Sequence, residues 1–224
     1  MKLAFMLALG VLLAETATAQ MDPCGNRGIP PPYCCTDVHA TRTLVVGSNS
    51  ANAPAEDVAG EFSATVRDCS NLPIAGATVT VEYGGCGPDL TLSAIQTFPG
   101  ISFDCATKTV SVITNQLGVA IFRVLGGARN DVGNVPGNLT SCAVIRVDGV
   151  FLATSPVAAL DQAGHLDGVK PNDLSVVITD INMGNTARRD DINLDGAITP
   201  VDVATMISYV NQGRSTENTG AICP

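Results

Sequence analysis

Twelve residues near the C-terminal end constrain this chain more than any other stretch: Asp191-Ile192-Asn193-Leu194-Asp195-Gly196-Ala197-Ile198-Thr199-Pro200-Val201-Asp202. Asp191, Asn193 and Asp195 put side-chain oxygens at alternate positions of a tight loop, and Gly196 permits a sharp turn. Ala197 offers its backbone carbonyl, Thr199 is placed to hold a water, and Asp202 closes the shell from the start of a helix. This is the spacing of a calcium loop, with Asp at the last position where Glu is usual. Average residue usage produces such a match by chance at on the order of 10⁻⁶ per starting position. Gathering three carboxylates without a cation is also electrostatically costly. The expected cofactor is therefore Ca²⁺.

The same segment is duplicated. Leu174, Val177, Ile178 and Ile181 recur at helical spacing, and Val203, Met206, Ile207 and Val210 repeat the pattern. Each stripe predicts one buried helix face. Each helix follows an Asp-Gly (Asp167-Gly168, Asp195-Gly196), carries an early Pro (Pro171, Pro200) and ends before a Gly (Gly184, Gly213), which are start and stop signals. Aligned on Asp-Gly, the first loop is one residue shorter and degenerate, with Ala163 and His165 at ligand positions. Asp161, Asp167 and Asp173 are the oxygens left for a second metal site. His165 reads as a surface or packing residue, because imidazole suits softer metals.

The beginning of the chain sets the chemical environment. Lys2 followed by an apolar run to Ala14, then Ala17-Thr18-Ala19, predicts a signal peptide over 1–19 with cleavage before Gln20. The run is too short to span a bilayer. All eight cysteines follow it: Cys24, Cys34, Cys35, Cys69, Cys86, Cys105, Cys142 and Cys223. An even count in an exported chain predicts disulfides, and no zinc spacing is present. Eight cysteines allow 105 connectivities; a first guess joins Cys86 to Cys105 across two strands. The expected location is secreted, with the cell surface as an alternative. A net charge of −9 disfavours nucleic acid and anionic membrane surfaces as partners.

Residues 20–40 read as a Pro- and Cys-rich arm pinned by disulfides. From 41 to 155 the pattern is β. Strands are expected near 41–46, 61–67, 77–83, 109–114, 119–125, 142–147 and 150–154, with β-branched residues alternating and Asn, Asp, Gly and Pro between them. About seven short strands predict a β-sandwich. Asp68-Cys69-Ser70-Asn71-Leu72-Pro73-Ile74-Ala75-Gly76-Ala77-Thr78-Val79 and Thr114-Asn115-Gln116-Leu117-Gly118-Val119-Ala120-Ile121-Phe122 resemble two stretches of bacterial Ig-like domains. That resemblance implies a spacer, adhesion or assembly module. The sequon at Asn138-Leu139-Thr140 is a weak glycosylation signal.

Loop, helix, linker, loop, helix over residues 156–214 resembles the dockerin domain, followed by a tail over 215–224. The resemblance implies calcium binding and docking to a cohesin-like module. In that family the two residues before the last loop Asp set partner choice; here they are Pro200-Val201 and Pro171-Asn172, which lack the hydroxyl pair of the best-known dockerins. Partners are thus expected to be a cohesin-like or other extracellular module, or copies of the chain itself. The expected fold is mainly β, an Ig-like sandwich with a small helical C-terminal domain. No catalytic constellation is legible: His39 and His165 lie far apart, no G-x-S-x-G, H-E-x-x-H or phosphate loop occurs, and the absence of Trp leaves no usual platform for a sugar ring. The expected function is a secreted, non-catalytic docking protein; the alternative is a structural subunit of an extracellular filament or surface layer.

Overall fold

The computed structural model describes residues 24, 28–38, 43–46, 61–96, 98–128, 142–162, 169–184, 190–193, 195, 197–211 and 223. The expected signal peptide, the Asn138 sequon, His39, His165 and Asp167 lie outside them. The described chain is mainly β, with eleven strands and two helices.

The strands are β1 (Asp37–Val38), β2 (Thr43–Val46), β3 (Glu61–Thr65), β4 (Thr78–Glu82), β5 (Leu90–Leu92), β6 (Ser102–Asp104), β7 (Thr109–Ile113), β8 (Val119–Ala128), β9 (Ala143–Val147), β10 (Val150–Ser155) and β11 (Val157–Ala159). They form two sheets. One runs β1-β3-β8-β2-β11, with β5 also paired to β8; the other runs β10-β9-β4-β7-β6. Pairing is antiparallel except for β2 with β8 and β11 with β2.

Alternation decides which face is buried. On β4, Val79 and Val81 are fully buried while Thr78, Thr80 and Glu82 face outward. Their partners Val110, Val112, Ile145 and Val147 line the same inner face. Opposite them, Phe62 and Phe122 are directly paired across β3 and β8 and stack with ring centroids 4.7 Å apart. With no Trp, these rings and a layer of β-branched side chains fill the space between the sheets.

All seven expected strands are present. The four additional ones, β1, β5, β6 and β11, have two or three residues each, too short for alternation to show. β11 lies beyond the boundary expected at 155, so the sandwich takes in residues first assigned to the helical repeat. β11 is buried at every position although it is an edge strand: Val157 and Ala159 belong to the sandwich core, and Ala158 packs in the cluster shared with the helices.

The disulfides join Cys24 to Cys35, Cys34 to Cys69, Cys86 to Cys142 and Cys105 to Cys223, and no cysteine is free. The guess of Cys86 with Cys105 is corrected. Cys86 sits in a 3-10 turn over Gly84–Asp89 beside the start of β9, and Cys105, past β6, receives the C-terminal tail instead. Four disulfides point to an oxidising, extracellular environment. Cys34–Cys69 also pins the N-terminal arm, where Tyr33 is buried and donates a hydrogen bond to Asp148 in the β9–β10 turn. No described helix is long and apolar enough to cross a membrane.

The helices are α1 (Pro171–Asn182) and α2 (Pro200–Asn211). Leu125 of β8, Ala158 of β11 and Leu160 share one apolar cluster with Val169, Val177, Ile192 and Met206 of the helical lobe. The lobe is therefore seated on one end of the sandwich, and Cys223 brings the chain back to it, with its N–H donated to the Leu92 carbonyl.

Candidate metal centre

Among its described residues, the Asp191–Asp202 loop is braced by its own Asx side chains. Asp191 Oδ1 and Asn193 Oδ1 both accept the Asp195 N–H, at 3.1 and 3.0 Å. Asp195 Oδ1 accepts the Ala197 N–H at 2.8 Å, and its Oδ2 accepts from the Asn193 amide at 2.8 Å. Asp202 closes the loop: one oxygen takes the Asn193 N–H at 3.1 Å, the other the Thr199 N–H at 2.7 Å. Thr199 Oγ1 accepts the Val201 N–H, so Thr199 is the N-cap of α2 and Asp202 its reciprocal partner three residues on.

The first repeat is built alike. Asp173 accepts the Lys170 N–H at 2.6 Å with one oxygen and the Gln162 N–H at 2.7 Å with the other. The Gln162 N–H stands eleven positions before Asp173 and the Asn193 N–H nine before Asp202, so the two carboxylates reach back to different positions of their loops.

Burial separates the predicted positions. Asp191 and Asp202 are fully buried, Asn193 and Thr199 half-buried, and Asp195 and Ala197 exposed. Asp161 and Asp173 are fully buried as well. Asp180 and Asp190, which the sequence reading did not single out, join them, so six aspartates of this small lobe lie at 0 or 1% exposure. A carboxylate leaves water only where hydrogen bonds, opposite charge or a cation compensate. The missed signal was a period: Asp161 and Asp190, like Asp173 and Asp202, stand 29 positions apart. Among the described residues no three His, Cys, Asp or Glu side chains are gathered at metal-ligating distance. The donors the loop offers are all oxygen, which suits a hard divalent cation and not zinc.

No family model, curated protein or solved structure matches this chain.

The positions expected to face a partner stand clear of the core. Pro171, Asn172, Pro200 and Val201 are exposed. The exposure pattern repeats along the two helices: Ser175 and Ala204, Ile178 and Ile207, Thr179 and Ser208, and Asn182 and Asn211 are all exposed. The charged residues of the helices, Asp173, Asp180 and Asp202, are all buried. Each helix thus turns an uncharged face outward.

Proposed function

We propose that this is a secreted, non-catalytic, calcium-binding protein whose dockerin-like helical repeat docks a protein partner while an Ig-like sandwich carries it. The observation behind this reading is the repeated, uncharged outer face of α1 and α2, on a chain whose net charge is −9. Uncharged, partly apolar faces on an acidic protein suit contact with another protein surface. Ca²⁺ would be held by Asp191, Asn193, Asp195, the Ala197 carbonyl and Asp202, with Thr199 acting through water. Bound there, it neutralises the loop's carboxylates and fixes the start of α2. The degenerate first loop supplies Asp161, Asp167 and Asp173 for a second ion.

The alternative, a structural subunit of an extracellular assembly, is favoured by the shared cluster at Leu125, Ala158 and Leu160. A docking tag on a tether needs no such core; a rigid building block does.

Calorimetric titration of the mature protein with Ca²⁺, beside Asp191→Ala, tests the metal. Binding that the substitution removes is expected; no heat at millimolar Ca²⁺ would sink this part of the reading. Light scattering after size exclusion, with Ca²⁺ and then with EDTA, separates a monomer awaiting a partner from a self-assembling subunit.

A further inference from the structure

The N-terminal arm, described at Cys24 and over residues 28–38, lies along the outer edge of the first sheet and meets it at a few separate points. Its end is β1, where Asp37 and Val38 pair with Thr65 and Ala64 of β3. Thr36 is buried; its Oγ1 accepts the Arg67 N–H at 3.3 Å and donates to the Arg67 carbonyl at 3.4 Å. Tyr33 enters the sandwich core, with Ile29 and Val38 packed against that core. Its hydroxyl donates to Asp148, whose other carboxylate oxygen takes the Thr78 N–H at 2.9 Å. These contacts are few beside the backbone freedom that the ordered arm gives up.

The four disulfides divide unequally. Cys24–Cys35 closes within the arm, Cys86–Cys142 and Cys105–Cys223 lie within the rest of the chain, and Cys34–Cys69 joins the two. Cys34–Cys69 is also the one disulfide without a buried half. Cys69 is exposed and Cys34 half-buried, whereas Cys35, Cys86, Cys142 and Cys223 are 4, 0, 9 and 4% exposed. Thiol–disulfide exchange begins with a thiolate reaching a sulfur, so access decides which bond exchanges first. Cys69 sits in a turn held by Asp68, whose Oδ1 takes the Ser70 and Leu72 N–H groups at 2.8 and 2.9 Å. The turn is therefore braced without the disulfide, and the arm is the part that is free to move when the bond opens.

We infer that Cys34–Cys69 is a redox latch: an external thiol opens it ahead of the other three disulfides, the arm leaves β3, and the sandwich stays folded. The attacking thiolate bonds to Cys69 Sγ, the S–S bond breaks, and Cys34 leaves as a thiolate. A second thiol of the same reagent then displaces Cys69, so the protein gains two electrons and two protons and the reagent becomes a disulfide. Opening bares the outer edge of β3 and takes Tyr33 out of the core. The latch is closed in an oxidising exterior and opens where thiols are met. The inference does not depend on the calcium or docking reading.

The test treats the mature, disulfide-bonded protein with dithiothreitol over a time and concentration series, without denaturant. Freed cysteines are alkylated with iodoacetamide and located by peptide mass spectrometry, and hydrogen exchange is followed in the same samples. Cys34 and Cys69 are expected to be alkylated about tenfold or more ahead of the others, which need local opening before attack. Exchange in the arm and in residues 61–67 should rise in that same step, while β4, β7 and β9 stay protected. The double variant Cys34→Ser with Cys69→Ser should show the open pattern without reductant and keep a cooperative melting curve. If all four disulfides open together, or another opens first, the inference is overturned. It is equally overturned if Cys34–Cys69 opens first but exchange in the arm and β3 stays unchanged in the reduced protein and the double variant. A double variant that does not fold would show that the bond holds the whole sandwich, which also defeats the latch.

Discussion

Asp202 accepts N–H groups from both ends of its loop, one at Asn193 and one at the α2 N-cap. Asp202→Ala is therefore expected to destabilise the protein even in EDTA, by about 1–3 kcal/mol, the cost of orphaned donors and a lost cap. Asp195→Ala, at an exposed position, should cost less in EDTA and show its effect mainly in Ca²⁺ affinity; chemical denaturation with and without EDTA separates the two. Tyr33 makes a second residue-scale prediction. The hydrogen bond it donates to Asp148 pushes its phenol up to about 12, and burial and the carboxylate's charge act in the same direction. The unfolded phenol titrates near 10, so the unfolded chain loses its proton first. The stability from this contact is complete below pH about 10 and falls away as pH rises through about 12. Tyr33→Phe should flatten that alkaline slope in denaturation curves measured from pH 9 to 12.

At the level of elements, turns hold the sandwich in register. Gly118 has φ +74°, and a Cβ there would meet the Val66 carbonyl oxygen at 2.5 Å and the Ile74 nitrogen at 3.1 Å. Gly76 has a similar φ of +78° with nothing within 4 Å. Both Gly→Ala changes pay the left-handed backbone term of about 1 kcal/mol, but only Gly118→Ala must also push apart the two loops. It is expected to lose about 2–3 kcal/mol in all, against about 1 for Gly76→Ala. Equal losses in urea unfolding would show that the loops yield freely.

On the scale of the whole molecule, the helical lobe and the sandwich share a core, and the Cys105–Cys223 bond closes 118 residues around the lobe. A single calorimetric unfolding transition is therefore expected. Met206→Ala, at a fully buried position of α2, should lower that one transition by about 2–5 kcal/mol. Two resolved transitions, with only the smaller moved by Met206→Ala, would mean that the lobe folds independently.

The helices and the seven longer strands were legible because their patterns are local: a 3.6-residue stripe closed by Pro and Gly, or four or more alternating β-branched residues. The oxygen spacing of the Asp191–Asp202 loop was legible for the same reason, as a tight loop is specified by consecutive residues. The short strands were not, since two or three residues carry no period and owe their pairing to neighbours distant in sequence. Nor was the burial of Asp180 and Asp190, because depth comes from which elements pack together. Cysteine pairing lay beyond the sequence for a related reason: Cys105 meets a residue 118 positions away, a contact that local residue patterns do not encode. Local hydrogen-bonding and steric preferences are written in adjacent residues. The seating of the lobe on Leu125, Ala158 and Leu160 was decided only by the burial of apolar surface across the whole chain.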